Sequence, residues 1–255
     1  MKLEHTSHQT LYISLDHNWE KSTCYSMDRA SQLLNFKFLP FLTFADWKVE
    51  EQVRKLCHKA KKKQCISPLA KWLGQLHKQD LTMPPMPPIA ICWINSYIGY
   101  GVFARERIPA WTYIGEYTGI LRRRQAIWLD ENDYCFRYPL SLWLWRYFTI
   151  DSGHQGNFTR FINHSDKPNV EAIGVFQDGL FHVIIRTIQA IEAGEELCYH
   201  YGRYIGSIGK NVKSLFPKKS RWLTLVVCSH ELRGIYNMTF HDFKKLIFGH
   251  IFLCR

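Results

Sequence analysis

Four short stretches of this chain concentrate residue types that bind and align small ligands. Gly99-Tyr100-Gly101, followed by Val102, Phe103 and Ala104, sets glycines at alternate positions, where backbone can approach a ligand closely. Gly115-Glu116-Tyr117-Thr118-Gly119 has bare ends around a tyrosine. Gly156-Asn157 precedes Arg160-Phe161-Ile162-Asn163-His164-Ser165-Asp166-Lys167-Pro168-Asn169, and Gly194-Glu195-Glu196-Leu197-Cys198-Tyr199-His200-Tyr201-Gly202 closes the set. Singly, each has an ordinary structural reading: a β-turn, a strand end, a polar turn, one face of a strand. Their order and spacing together carry the chemistry.

Read together, RFINHSDKPN and GEELCYHYG with the two stretches before them resemble the SET-domain family of protein lysine methyltransferases. The resemblance covers roughly residues 90–204, and the arrangement is most similar to small stand-alone SET proteins such as those of chlamydial bacteria. It implies a mainly β fold of several small curved sheets with a pseudoknot, in which the RFINHS strand passes through a loop made by the GEEL end. It implies S-adenosylmethionine as cofactor, with Gly99, Tyr100 and Gly101 along its amino-acid end and Asn163 and His164 meeting it. Arg160 and Phe161 would wall that pocket. Tyr134, in YCFRYPL, matches a family tyrosine and is grouped with the cofactor residues, while Tyr117, Tyr134 and Tyr201 would line a narrow lysine channel. Tyr201, Tyr199 and Tyr117 are the expected catalytic residues, Tyr201 the indispensable one.

These residue types suit methyl transfer from a sulfonium to an amine, an in-line displacement in which alignment and desolvation are the enzyme's task. The amine must be neutral, and an aromatic channel disfavours the ammonium, so no carboxylate base is required. Tyrosine supplies an apolar wall and a hydroxyl that orients the amine. Tyr199 lies two residues before Tyr201, where the family tunes methyl number, and a hydroxyl there predicts mainly mono- or dimethylation. The chain departs from many relatives at Asp166, where a zinc-binding Cys often falls, and no C-x-C follows Tyr204. No metal ligands and no zinc are therefore expected, and the cap over the channel is expected from 205–225, with Phe216, Trp222 and Tyr204.

The positioning elements are legible in outline. Short strand-like runs (AICWINS, GVFARERI, YIGEYTGIL, YCFRYPL, YFTIDS, VEAIGVF, LFHVIIRTI, EELCYHY) follow one another after Met83–Pro88, where MPPMPP cannot continue a helix. Residues 27–80 read mostly helical, with one helix from about 45 to 63 ending in KAKKK. The expected organisation is a helical basic region over 1–88, the SET domain over 89–205 and a short α/irregular basic extension over 206–255.

Hydrophobic residues make up 46% of the 255 and aromatics 15%, which excludes a disordered chain. The formal charge of +11 is uneven: residues 1–90 carry 13 Lys+Arg against 8 Asp+Glu, residues 91–205 carry 11 against 12, and residues 206–255 carry 9 against 2. Basic ends around a near-neutral middle suit a basic protein substrate, a histone or histone-like protein, with non-specific DNA contact through the flanks. A ribosomal or other non-chromatin target is an alternative, as is a catalytically silent basic nucleic-acid-binding module. Eight cysteines without a C-x-x-C pair read as scattered thiols of a reducing compartment; Cys57-His58 with Cys65, and Cys228 with His230, each lack a fourth ligand. The opening MKLEHTSHQT has no secretory apolar run, and no stretch reaches the roughly 18 apolar residues of a membrane span. An intracellular protein is expected, in cytoplasm or nucleoid, with export to a host nucleus open if the source is an intracellular bacterium.

Overall fold

The computed structural model describes residues 10–124, 132–140 and 148–201. Gly202, Tyr204, the cap residues Phe216 and Trp222, Cys228, His230 and the extension 206–255 lie outside the described residues.

The N-terminal stretch begins with strands that helical periodicity did not announce. β1 (Thr10–Ser14) and β2 (Thr23–Ser26) form an antiparallel pair, and Ser26 then caps α1 (Met27–Leu33) by accepting from the Arg29 N–H. β3 (Lys37–Phe38) and β4 (Thr43–Phe44) are two residues each. α2 (Trp47–Lys62) follows the expected span closely: Asp46 accepts from the Val49 N–H at 2.8 Å, and Val49, Val53, Cys57 and Ala60 make one buried face. Lys59, Lys61 and Lys62 complement the negative end of its dipole. α3 (Pro68–Leu76) starts on a Ser67 cap with Pro68 in its first turn, where the missing N–H costs nothing, and the short α4 (Lys78–Thr82) follows.

Beyond the prolines the described elements are strands, apart from one 3-10 turn at Phe158–Phe161. β5 (Ile89–Asn95) and β6 (Gly99–Ala104) form a hairpin that joins β1 in a four-stranded sheet of order β2-β1-β5-β6. β7 (Tyr113–Glu116), β8 (Ile120–Arg123), β9 (Cys135–Arg137), β10 (Phe148–Asp151) and β11 (Gln155–Gly156) come next. β8, β9 and β10 make a second sheet with β4, and β11 pairs in parallel with β3. β12 (Asn163–His164), β13 (Val170–Gln177), β14 (Leu180–Thr187) and β15 (Cys198–Tyr199) complete the order. β13 and β14 are a long antiparallel hairpin whose β14 edge takes β7.

The observed architecture is mainly β in several small sheets, and each strand-like run contains a strand. The N-terminal stretch shares three of those sheets: β1 lies beside β5, β3 beside β11 and β4 beside β8. Two apolar clusters hold the layers, one around Leu11, Ile91, Val102, Ile114, Phe158, Ile162 and Leu197, the other around Val53, Cys57, Leu121, Tyr138, Phe148 and Ile150. Cys57 is buried against the Tyr138 hydroxyl and Cys65 is exposed, so the two do not share a site. No helix among the described residues is long and apolar enough to cross a membrane.

Candidate functional site

The third and fourth motifs meet in a two-residue parallel ladder, Asn163 beside Cys198 and His164 beside Tyr199. The pairing extends past the strands: the Ser165 N–H donates to the Tyr199 carbonyl (3.2 Å) and the Asn169 N–H to the Cys198 carbonyl (3.0 Å). The Asn169 side chain donates to the Glu196 carbonyl and accepts from the Cys198 N–H, both at 2.8 Å. Asn169 and Glu196 were not singled out from the sequence, although both stand inside the motifs. A side-chain amide that serves a donor and an acceptor of one strand fixes its register as a neighbouring strand would.

The first motif is fastened to this ladder. Asn163 Nδ2 donates to the Tyr100 carbonyl (3.2 Å) and to Glu196 Oε1 (2.8 Å). A Cβ at Gly101 would stand 2.6 Å from Glu196 Oε1, 2.7 Å from Ile94 Cδ1 and 3.1 Å from Asn163 Nδ2, so a side chain there would displace the groups that tie β6 to the ladder. Beside Gly99 the corresponding space is open. Phe161 is buried and its ring stands edge-on to that of Tyr100, centroids 5.9 Å apart. Gly99, Tyr100, Gly101, Phe161 and Asn163 are thus brought together, with His164 next on the ladder.

The tyrosines form the other half. Tyr199 and Tyr201 have centroids 4.8 Å apart, and Tyr201 also packs on the His164 ring at 5.2 Å. The Tyr201 hydroxyl donates to the Ile162 carbonyl (3.1 Å) and its backbone N–H to His164 Nδ1 (3.0 Å). Tyr117 is buried, donating its hydroxyl to the Tyr134 carbonyl (2.8 Å), which also accepts the Ser152 N–H. Burial above all pushes the phenols of Tyr117, Tyr199 and Tyr201 well above the usual tyrosine range, helped at Tyr199 by its two tyrosine neighbours and at Tyr201 by Tyr134 and nearby acidic groups. At neutral pH all three are protonated, hence donors and not bases.

Arg160 sits between these halves. It lies in a 3-10 turn, Phe158–Phe161, capped by Asn157 accepting from the Thr159 N–H. Its guanidinium carbon is 4.0 Å from the Tyr134 ring centroid, 5.0 Å from Phe161 and 5.1 Å from Phe36. Phe36 carries no motif signal in the sequence.

Behind Tyr117, Glu116 Oε1 and His182 Nδ1 are 2.6 Å apart and well buried. Burial disfavours the imidazolium, but the Glu116 carboxylate and its hydrogen bond outweigh burial and raise the His182 pKa. A raised folded value contributes stability that is fully present below the unfolded value, about 6.5, and is lost as pH rises through the folded one. The unfolding free energy is therefore expected to decline as pH rises above that range, and His182→Asn to remove the decline. Denaturant melts of both proteins between pH 5 and 9 read this directly; identical pH slopes would show that the pair contributes nothing.

His164, Asp166 and His200 each offer one ligand atom within 4.8 Å of the others. His164 Nδ1 accepts the Tyr201 N–H, which leaves the ring proton on Nε2, the atom facing Asp166 Oδ1 at 3.4 Å. A metal ligand needs a lone pair on that nitrogen. With the proton there, the His164 ring is arranged to donate toward Asp166.

The SET domain family matches residues 99–202. Over 105 residues the chain is 34% identical to the histone-lysine N-methyltransferase, H3 lysine-4 specific, of Mycosarcoma maydis, covering 40% of this chain and 7% of that protein. Over 112 residues it is 30% identical to the histone-lysine N-methyltransferase SUV39H1-A of Danio rerio, covering 40% and 27%. The chain thus spans only a small part of the length of these relatives. Among solved structures, KRYPTONITE in complex with mCHG DNA and SAH overlays with a TM-score of 0.41 at 32% identity, covering 51% of this chain and 27% of that one. ATXR5 in complex with histone H3.1 overlays at 0.49 and 20% identity, covering 70% and 86%.

Proposed function

This chain carries a SET domain over residues 99–202, and we propose that it is a protein-lysine N-methyltransferase that uses S-adenosylmethionine and acts on a histone or histone-like protein. The observation that carries this reading is the ladder of Asn163–His164 with Cys198–Tyr199, which seats a side-chain-free β6 edge and a cluster of protonated tyrosines on the same four residues.

The residues present fit the cofactor: the space beside Gly99 is open, and β6, Asn163, His164 and Phe161 would hold the amino-acid end. Bound there, S-adenosylmethionine would supply a methyl group on a cationic sulfur whose departing bond pair stays with the sulfur. The rest falls to the chain's own groups. Tyr117 and Tyr134 wall the acceptor side, and Tyr201, fixed by Ile162 and His164, aligns the amine lone pair with the methyl carbon. Exclusion of water by these rings favours the neutral amine. The Tyr199 hydroxyl has no hydrogen-bond partner among the described residues, which leaves it for the amine or a water. That supports mono- or dimethylation.

DNA contact through the flanks has a specific support. Lys48, Lys55, Lys59 and Lys62 are exposed on the face of α2 opposite its buried one. Changing Lys48, Lys59 and Lys62 to Gln is expected to flatten the plot of log binding constant against log salt for duplex DNA by about 0.9 per lost phosphate contact. An unchanged slope would remove α2 from the interface. The segment 205–225 remains the proposed cap, and the place of action is wherever a chromatin-type substrate is met.

A tritiated-cofactor assay on histones, nucleoid protein, ribosomal protein and DNA tests the whole reading. Label in histone lysine, absent with Tyr201→Phe, supports it, and label in ribosomal protein moves the substrate. Tight DNA binding without label supports the silent module. Complete trimethylation by intact mass would refute the product assignment.

A further inference from the structure

Arg160 is a cation with no carboxylate paired to it among the described residues, in a place where charge has consequences. Its Nε is buried with no hydrogen-bond partner, and it forms no ion pair among the described residues. Asp151, the nearest carboxylate on β10, is held by Arg122 Nε at 2.8 Å, by Asn132 and by the Gly153 N–H. What holds the guanidinium instead is aromatic: Tyr134 at 4.0 Å, with Phe161 and Phe36 behind. Two of its neighbours, Tyr117 and Tyr134, are walls of the acceptor channel in the functional reading above.

On that reading, we propose that the Arg160 guanidinium is the fixed positive charge of the lysine channel, repelling the ammonium and keeping the acceptor amine in its neutral, nucleophilic form. The geometry fits this role better than a cofactor wall. Consecutive side chains of a 3-10 turn fan apart by about 120°, so Phe161 reaches Tyr100 while Arg160 turns to Tyr134. The field at this spot also acts on Tyr117: burial raises its phenol most, a hydrogen bond with Ser152 lowers it, and the charge of Arg160 adds a smaller lowering. The other groups facing this place are Tyr134 and Asp133 before β9, Cys135 on β9, Asp151 on β10 with Arg122 of β8, and Tyr201 with Glu196 and Cys198 at the far end. Asp133 and Glu196 act on Tyr201 in the opposite sense, so Arg160 is the group that opposes them here. The proton lost from the ammonium goes to solvent before the lone pair attacks.

The test is the pH dependence of kcat at saturating histone peptide and cofactor, where the bound amine titrates. Removing a unit charge some 10 Å away at an effective dielectric near 20 moves such a titration by about one unit. Arg160→Gln is expected to shift the acid limb of kcat upward by about one pH unit, roughly a tenfold loss at neutral pH that high pH restores. Arg160→Lys, which keeps the charge, should hold the wild-type inflection at a lower plateau, and kcat/KM should keep its inflection in both, because it reports the free peptide. A uniform drop in Arg160→Gln with its inflection unmoved would overturn the proposal. Should that variant not fold, the wild-type complex with a peptide ¹³C-labelled at the lysine ε-carbon is titrated without cofactor. A bound lysine titrating below the free peptide supports the role, and one titrating with it does not. A wild type that methylates no lysine peptide refutes the functional reading itself. Turnover with superimposed profiles refutes only the part assigned to Arg160.

Discussion

Tyr201→Phe is expected to lower the methyl-transfer rate constant by about 10²- to 10³-fold while leaving cofactor binding within about threefold, the range for losing one aligning hydrogen bond in a closed site. The substitution removes a single oxygen, whose hydrogen bond to the Ile162 carbonyl at 3.1 Å fixes the ring's tilt against Tyr199. The backbone N–H of residue 201 still holds His164 Nδ1, so the ladder beneath should persist. Single-turnover kinetics with isothermal titration of the cofactor separate the two effects. A parallel loss of both would mean that the hydroxyl supports the fold of the ladder and not the alignment of the amine.

Gly74→Ala is expected to destabilise the protein by about 3 kcal/mol, near the top of the usual range for overpacking. In a free helix this change would stabilise, because alanine is the better helix former by about 1 kcal/mol. Here α3 lies against β13, and a Cβ on Gly74 would stand 2.1 Å from the Phe176 carbonyl oxygen and 2.6 Å from its carbon. Those are backbone atoms of the long hairpin, which cannot rotate aside, so helix and sheet must separate. Urea denaturation of the two proteins measures the difference. A variant equal to or firmer than the wild type would show that the N-terminal helices are not seated on the hairpin.

That close approach marks what the sequence did and did not disclose. α2 was legible because a cap, a helical apolar period and basic residues in the last turn all agree over one span. The strand runs were legible because alternation and turn residues repeat. β3 and β4 escaped because two-residue strands have no period of their own and exist only through partners over a hundred and over seventy positions away. The site divides similarly. Asn163, Tyr199 and Tyr201 stand out as motif letters, and the ladder brings them together. Glu116 and His182 pair across 66 positions, and no local pattern announces such a pair. Arg160 and Phe161 are adjacent letters that read as one unit, yet the 3-10 turn aims Phe161 at Tyr100 and Arg160 at Tyr134, with Phe36 touching both. Sequence adjacency predicts a shared surface on neither helix nor turn.

The ladder also sets a time order. Its two strands, Asn163–His164 and Cys198–Tyr199, are separated along the chain by the whole hairpin Val170–Thr187. Closing so wide a loop for two residue pairs is entropically unfavourable until the hairpin has zipped and drawn its ends together. The floor under β6 and the seat of Tyr201 therefore form late, and as a single event. A chain emerging from the ribosome completes neither half of the site until residue 201 is free, because both rest on the ladder.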